Sequence, residues 1–229
     1  MDLPREVPVM VLPNATLFPQ AMLPLHIFEP RYRRMLTDAL ESRRMLALAM
    51  QRPSSTRASP CRVAGLGLIR ACVTRQDGTS NLILQGLARV ELGEAARCQP
   101  YRIHRIHPLW PRAIDSVRAD ALVAKVRELV GDRCKRGLKE PSSPAKKLSP
   151  PGQGPDIEPL VTFSFGEVLK RLAGLEDAEQ LADLVACTLL SVREERQVIL
   201  ETLDLEQRLK HLVRFLMAET QRQKHLPDL

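Results

Sequence analysis

The sequence predicts an α+β fold: a small mixed β-barrel with one inserted helix over residues 1–112, followed by an α-helical bundle over 113–229. Three observations predict it. Up to about residue 110 the apolar residues fall in short runs of strand length, separated by proline, asparagine and glycine. From Asp115 onward the apolar period lengthens from two to 3.6. The second half also carries four S/D-x-x-E/Q patterns at the starts of helical stretches, Ser164 with Glu167, Asp177 with Gln180, Ser191 with Glu194 and Asp204 with Gln207. In such a box the first side chain accepts from an orphan backbone N–H, and the second reaches back to the first residue's own N–H.

Residues 7–12 form a first apolar run ending at Pro13-Asn14, and 22–27 a second, in which Pro24 argues for an edge position or a bulge. Pro30 suits the first position of a helix, and Tyr32, Met35, Leu36, Ala39 and Leu40 then repeat at helical spacing. Residues 45–50 and 63–74 read as strands on either side of a polar loop. Asp77-Gly78 is the chemistry of a type I′ hairpin turn leading into a strand at 82–84, with further strands at 88–92 and 101–106. Leu122, Val123, Val126, Leu129 and Val130 mark a helix expected to stop at Gly131. Leu181, Leu184, Val185 and Leu189 form a stripe, as do Val198 and Ile199. The last and longest helix places Leu205, Leu209, Leu212, Val213 and Leu216 on one stripe, with Arg208 and Glu219 off it.

The formal charge of +7 is concentrated. Between Gly131 and Pro155 six basic residues face Asp132 and Glu140, a local +4 that leaves +3 for the rest. The same stretch holds five of the eighteen prolines, so a flexible basic linker is expected at about 131–158. With one Trp, two Tyr and five Phe the chain has few rings on which to stack bases, which disfavours nucleic acid. No stretch approaches the ~20 apolar residues needed to cross a bilayer, so no membrane partner is expected. Five widely spaced cysteines without a CxxC pair fit neither a disulfide framework nor a zinc site, and a reducing cytoplasm suits them.

Catalytic chemistry is missing from the pattern. There is no phosphate-cradling GxxxxGK[ST] loop, no HExxH and no GxSxG elbow, and Gly65-Leu66-Gly67 lacks the third glycine of a dinucleotide turn. His104 and His107 lie in a strand pattern, where a three-residue separation sends them to opposite faces. No catalytic residue, metal ligand or cofactor site is therefore expected.

Three blocks carry a resemblance: "VPVMVLPNATLFPQAMLPLHIFEPRYRRML", "GLGLIRACVTRQDGTSNLILQGLARVEL" and "ADLVACTLLSVREERQVILETLDLEQRLKHLVRFL". In content and order they resemble the N-terminal, substrate-binding domain of the ATP-dependent Lon proteases. The resemblance implies a PUA-like β-barrel followed by a helical bundle. It also implies a non-enzymatic module for unfolded or partly folded polypeptides, serving as an adaptor to a separate protease or as a chaperone-like holder. Residues 135–155 depart from the family pattern, and the chain reaches Leu229 without the AAA+ motor or the peptidase. RNA binding, known for other PUA-like barrels, is the alternative.

Within the first block, Phe28, Tyr32 and Met35 are expected in the core. Leu17, Phe18, Met22 and Leu23, around a proline-bounded loop, are the candidate polypeptide-binding residues. The competing expectation is that this loop folds over the mouth of the barrel.

Overall fold

A computed structural model describes residues 3–53, 59–111, 117–135 and 165–224. Its elements are β1 (Glu6–Leu12), β2 (Met22–Ile27), α1 (Pro30–Leu40), β3 (Met45–Met50), β4 (Val63–Thr74), β5 (Ser80–Arg97) and β6 (Arg102–Leu109). Five helices follow: α2 (Val117–Lys135), α3 (Phe165–Ala173), α4 (Ala178–Leu189), α5 (Arg193–Glu201) and α6 (Leu205–Lys224). The six strands form one mixed sheet in the order β2-β5-β4-β3-β1-β6, and β5 pairs with β6 as well, which closes five of them into a ring. Among the described strands only β1 and β3 run parallel. The chain between them passes through β2 and α1, as a parallel connection requires.

The ring depends on β5 serving two partners. Residues 80–85 pair with β2, and residues 89–97 pair with β6, with register shifts after Leu92 and after Ala95. The separate strands expected at 82–84 and 88–92 are one continuous strand passing through Gly86. The strand β2 stays outside the ring at the sheet edge, which accommodates Pro24.

The alternation of side chains explains the two apolar clusters of this half. Val7, Val9 and Val11 of β1 join Ala47 and Ala49 of β3, Leu66 of β4 and Val90 of β5 on one face. Met10, Leu46 and Leu48 point the other way, onto Tyr32, Met35, Leu36 and Ala39 of α1. The strand β3 is buried on both faces, which is why it reads as an unbroken apolar run. Tyr32 takes its place in this core by bonding one backbone residue twice: its hydroxyl accepts from Val11 N at 3.1 Å and donates to Val11 O at 2.9 Å.

The hairpin between β4 and β5 is not the type I′ turn expected. Among the described non-glycine residues only Gln20 and Arg44 have positive φ, so Asp77 does not, and Gly78 carries the left-handed position alone at φ 77°. Gly78 N donates to Arg75 O at 3.0 Å and Arg75 N to Thr79 O at 2.8 Å. The Asp77 carboxylate accepts from the Thr79 N–H and hydroxyl, which lowers its pKa.

In the helical half α2 continues to Lys135, past the expected stop at Gly131. Its Val123, Val126 and Val130 are buried against α3 and α6, and that packing outweighs the local cost of one glycine, about 1 kcal/mol. Asp177 caps α4, accepting from Glu179 N and Gln180 N, and Asp204 accepts from Gln207 N at 2.8 Å at the start of α6. The other two boxes fare differently. Ser191 is not the cap of α5, whose N-cap is Val192 without a side-chain bond; the Ser191 hydroxyl donates instead to Glu219 at 2.7 Å. Ser164 lies outside the described residues, as does the greater part of the expected linker, 136–158.

The two halves are joined by polar groups around an apolar plug. Phe18 and Ala21, from the loop between β1 and β2, belong to the helical core with Leu181, Val185 and Leu209. Around them Gln197 donates to Val63 O at 2.9 Å, Arg196 to Asn14 O at 3.0 Å and Arg193 to the Asn14 side chain at 2.8 Å.

Candidate functional site

The loop over residues 13–21 has two anchors. Leu17 is buried in the α1-facing cluster of the sheet and Phe18, at 0% exposure, in the helical core. Burying a side chain of this size contributes roughly 1.5–3 kcal/mol. The backbone between them runs directly over glycines. A Cβ on Gly65 would overlap Leu17 O, and a Cβ on Gly86 would overlap Phe18 O. Gln20 N donates to Gly86 O at 2.8 Å, and Gly86 N to Ala21 O at 2.9 Å, which fixes the loop in that position. Leu17 and Phe18 therefore do not offer their side chains to solvent, and the loop folds onto the ring.

Directly after this loop the chain turns its apolar side chains outward. Met22 is 54% exposed and Phe28 53%, while Leu23 is half-buried against the α1-facing cluster. Of the three residues expected in the core, Tyr32 and Met35 are buried and Phe28 is not. The Phe28 ring stacks on His26 with centroids 6.0 Å apart, and His26 Nδ1 is 2.8 Å from Asn81 Oδ1 on the neighbouring strand.

Strand register extends this face sideways. Pro24 lies opposite Ile83 of β5, and Ile83 opposite Ala71 of β4, with exposed Val73 beside Asn81. Met22, Pro24, Phe28, Ile83, Ala71 and Val73 thus form one outward patch on three adjacent strands, ending at the free edge of β2. Gln85 and Arg70, hydrogen-bonded to each other, form its polar border.

A second opening lies where the ring meets the helices. It is a cleft of about 150 Å³ between Pro19, Leu109 and Glu179, with Trp110 at its mouth, 70% exposed. Its floor is a buried charge network that no local pattern in the sequence announces. Arg89 of β5 pairs with Asp183 of α4, both buried, and donates from Nε to Leu200 O at 3.0 Å. Arg208 of α6, expected off the apolar stripe, is fully buried; its Nη1 lies 3.5 Å from Asp183 and 3.6 Å from Glu179. The Thr202 and Leu203 carbonyls accept from the same guanidinium. Burial pushes the Glu179 carboxyl above the usual range, and Arg208 draws it partly back.

Among the described residues no group of three His, Cys, Asp or Glu could hold a metal ion. His104 is buried with Nδ1 2.9 Å from Gly93 O, and His107 is exposed on the opposite face of β6. No described helix is long and apolar enough to cross a membrane.

Comparison with known proteins places this arrangement. A family model described as the ATP-dependent protease La (LON) substrate-binding domain matches residues 6–218. The Lon protease of Syntrophus aciditrophicus (strain SB) is 27% identical over 217 residues, covering 92% of this chain and 25% of that protein. That of Phenylobacterium zucineum (strain HLK1) is 28% identical over 218 residues, with 93% and 25% covered. The chain spans about a quarter of the length of these relatives. In fold it is similar to the N-terminal domain of a Mycobacterium avium complex Lon protease, with TM-score 0.66, 17% identity, and 96% of this chain and 100% of that one covered. It is also similar to a Lon N-terminal domain protein from Xanthomonas campestris, with TM-score 0.61, 17% identity, and 92% and 98% covered.

Proposed function

The chain belongs to the Lon substrate-binding domain family, and from that premise we propose that it binds unfolded or partly folded polypeptides without cleaving them. In this reading it is a cytoplasmic adaptor or holder that passes clients to a separate protease. The observation that carries the proposal is the apolar patch on β2, β5 and β4. An extended segment laid against Met22, Phe28, Ile83 and Val73 would bury apolar area without demanding one sequence, which suits clients that share only exposed hydrophobic residues. Of the four candidate residues around the loop, Met22 makes the contact, while Leu23 faces inward against the α1-facing cluster and, with Leu17 and Phe18, holds the loop and β2 in place from beneath.

The test is anisotropy of a fluorescent, permanently unfolded protein titrated with the full chain. We expect binding that falls at least about tenfold in the double variant Met22→Asp with Phe28→Asp, a loss of some 1.4 kcal/mol. Both side chains are solvent-facing, so the melting temperature should stay put. Equal binding by the variant would remove the patch from the function, and no binding by the parent chain would remove the function itself.

A further inference from the structure

A cavity of about 260 Å³ opens between β1, the start of α1 and the turn at 98–101 that leads into β6. Its lining includes Arg31 and Arg102 and no acidic residue. The two tyrosines in its wall have spent their hydroxyls elsewhere, Tyr32 on Val11 and Tyr101 as donor to Asp38 at 2.5 Å. The carboxylates that act on these tyrosines, Asp38 on Tyr101 and Glu29 on Tyr32, are likewise engaged: Asp38 also meets Arg34 at 3.1 Å, and Glu29 holds Arg31 at 2.8 Å. Arg97 stacks on the Tyr101 ring at 4.8 Å and Arg31 on the Tyr32 ring at 4.5 Å, so each tyrosine of the wall carries a guanidinium on its ring. Arg102 is half-buried on β6, opposite Val9, and has no carboxylate partner among the described residues.

What is left to bond in this cavity is therefore a set of donors: the Arg102 guanidinium, the remaining N–H groups of Arg31 and the Gln99 amide. Two coplanar oxygens match a guanidinium edge-on, and a charge-assisted pair of that kind is about twice as strong as a neutral hydrogen bond. A cavity this small takes one such group and little more, below the ~300–1,000 Å³ of ordinary ligand pockets.

We propose that this cavity binds a single carboxylate of a polypeptide client, at its C-terminus or on an acidic side chain, with Arg102 as the principal partner and Arg31 as the second. The inference rests on the polypeptide-binding reading and names what part of the client the ring holds. It adds charge selectivity to the apolar patch on β2, so that clients bearing a carboxylate near an apolar segment bind best.

Three fluorescent peptides of one apolar, otherwise uncharged sequence distinguish the sources: one with a free C-terminus, one amidated, and one amidated with a single glutamate. Titrated with the full chain, the free-carboxylate peptide or the glutamate peptide should bind about tenfold more tightly than the neutral one. Arg102→Gln should erase that difference while leaving the neutral peptide's affinity and the melting temperature unchanged, and Met22→Asp should weaken all three alike. Equal affinity for all three peptides would overturn the carboxylate pocket while leaving polypeptide binding intact. Failure of every peptide to bind would overturn both readings. A difference that persists in Arg102→Gln would place the selectivity elsewhere, and displacement by millimolar inorganic phosphate without any peptide preference would reassign the cavity to a phosphate ligand.

Discussion

Gly65 and Gly86 hold their places because a backbone lies on top of them. Replacing Gly86 with alanine should cost about 1–3 kcal/mol in chemical denaturation, because the new methyl meets Phe18 O and the loop must lift with its anchors still in place. Gly131 is the contrasting case. It sits inside α2 with nothing within 4 Å of where a methyl would stand, so Gly131→Ala should stabilise by up to about 1 kcal/mol in the same measurement. The sequence shows all three as glycines with no sign of which is which. The Gly-Leu-Gly spacing invites comparison with a nucleotide turn, whereas its cause is a loop some fifty residues earlier in the chain. Phe18 misleads for a related reason: flanked by Pro19 and Leu17, it looks like a loop tip, and the cluster it joins is built from helices that begin about a hundred residues later in the chain.

At the level of elements, legibility follows locality. The bounds of β2, β3 and β4 coincide with the apolar runs expected at 22–27, 45–50 and 63–74, because in each case the run and its flanking turn residues are adjacent in sequence. The two strands around Gly86 merge because glycine is a breaker only when nothing pairs with it, and here β4 and the loop do. The capping boxes divide by the same rule. Asp177 and Asp204 need only their own helix, while Ser191 is claimed by Glu219 from α6. Even at α4 the second half of the box is diverted, since the Gln180 amide reaches Gln20 of the loop rather than Asp177. Asp177→Ala should therefore lower stability by about 1 kcal/mol, the ordinary worth of one cap, in equilibrium unfolding. Gln180→Ala should leave the cap unaffected and loosen the loop, read as faster amide exchange at Gln20 N.

For the molecule as a whole, the buried charges decide how tightly ring and helices are coupled. Asp183 faces two buried guanidiniums, Arg89 from the ring and Arg208 from α6, so removing its carboxylate leaves Arg89 without its charge partner and Arg208 with Glu179 alone. Asp183→Ala should cost about 3–5 kcal/mol, the range for breaking a buried pair, and unfolding should remain a single transition if ring and helices melt together. Nothing in the sequence pattern marks this network. A lone aspartate in an apolar stripe and an arginine beside one read as surface residues until the fold brings their partners from opposite halves of the chain. The plug at Phe18 has a consequence for how the protein is made. A ribosome delivers all six strands before it delivers α6, so a nascent chain could close its ring while Phe18 still lacks Leu209 to pack against. During that interval an aromatic side chain and the apolar faces of α4 and α5 stand open to water, which is when growing chains are prone to aggregate. This member of the Lon substrate-binding domain family thus begins its own existence displaying an exposed hydrophobic segment.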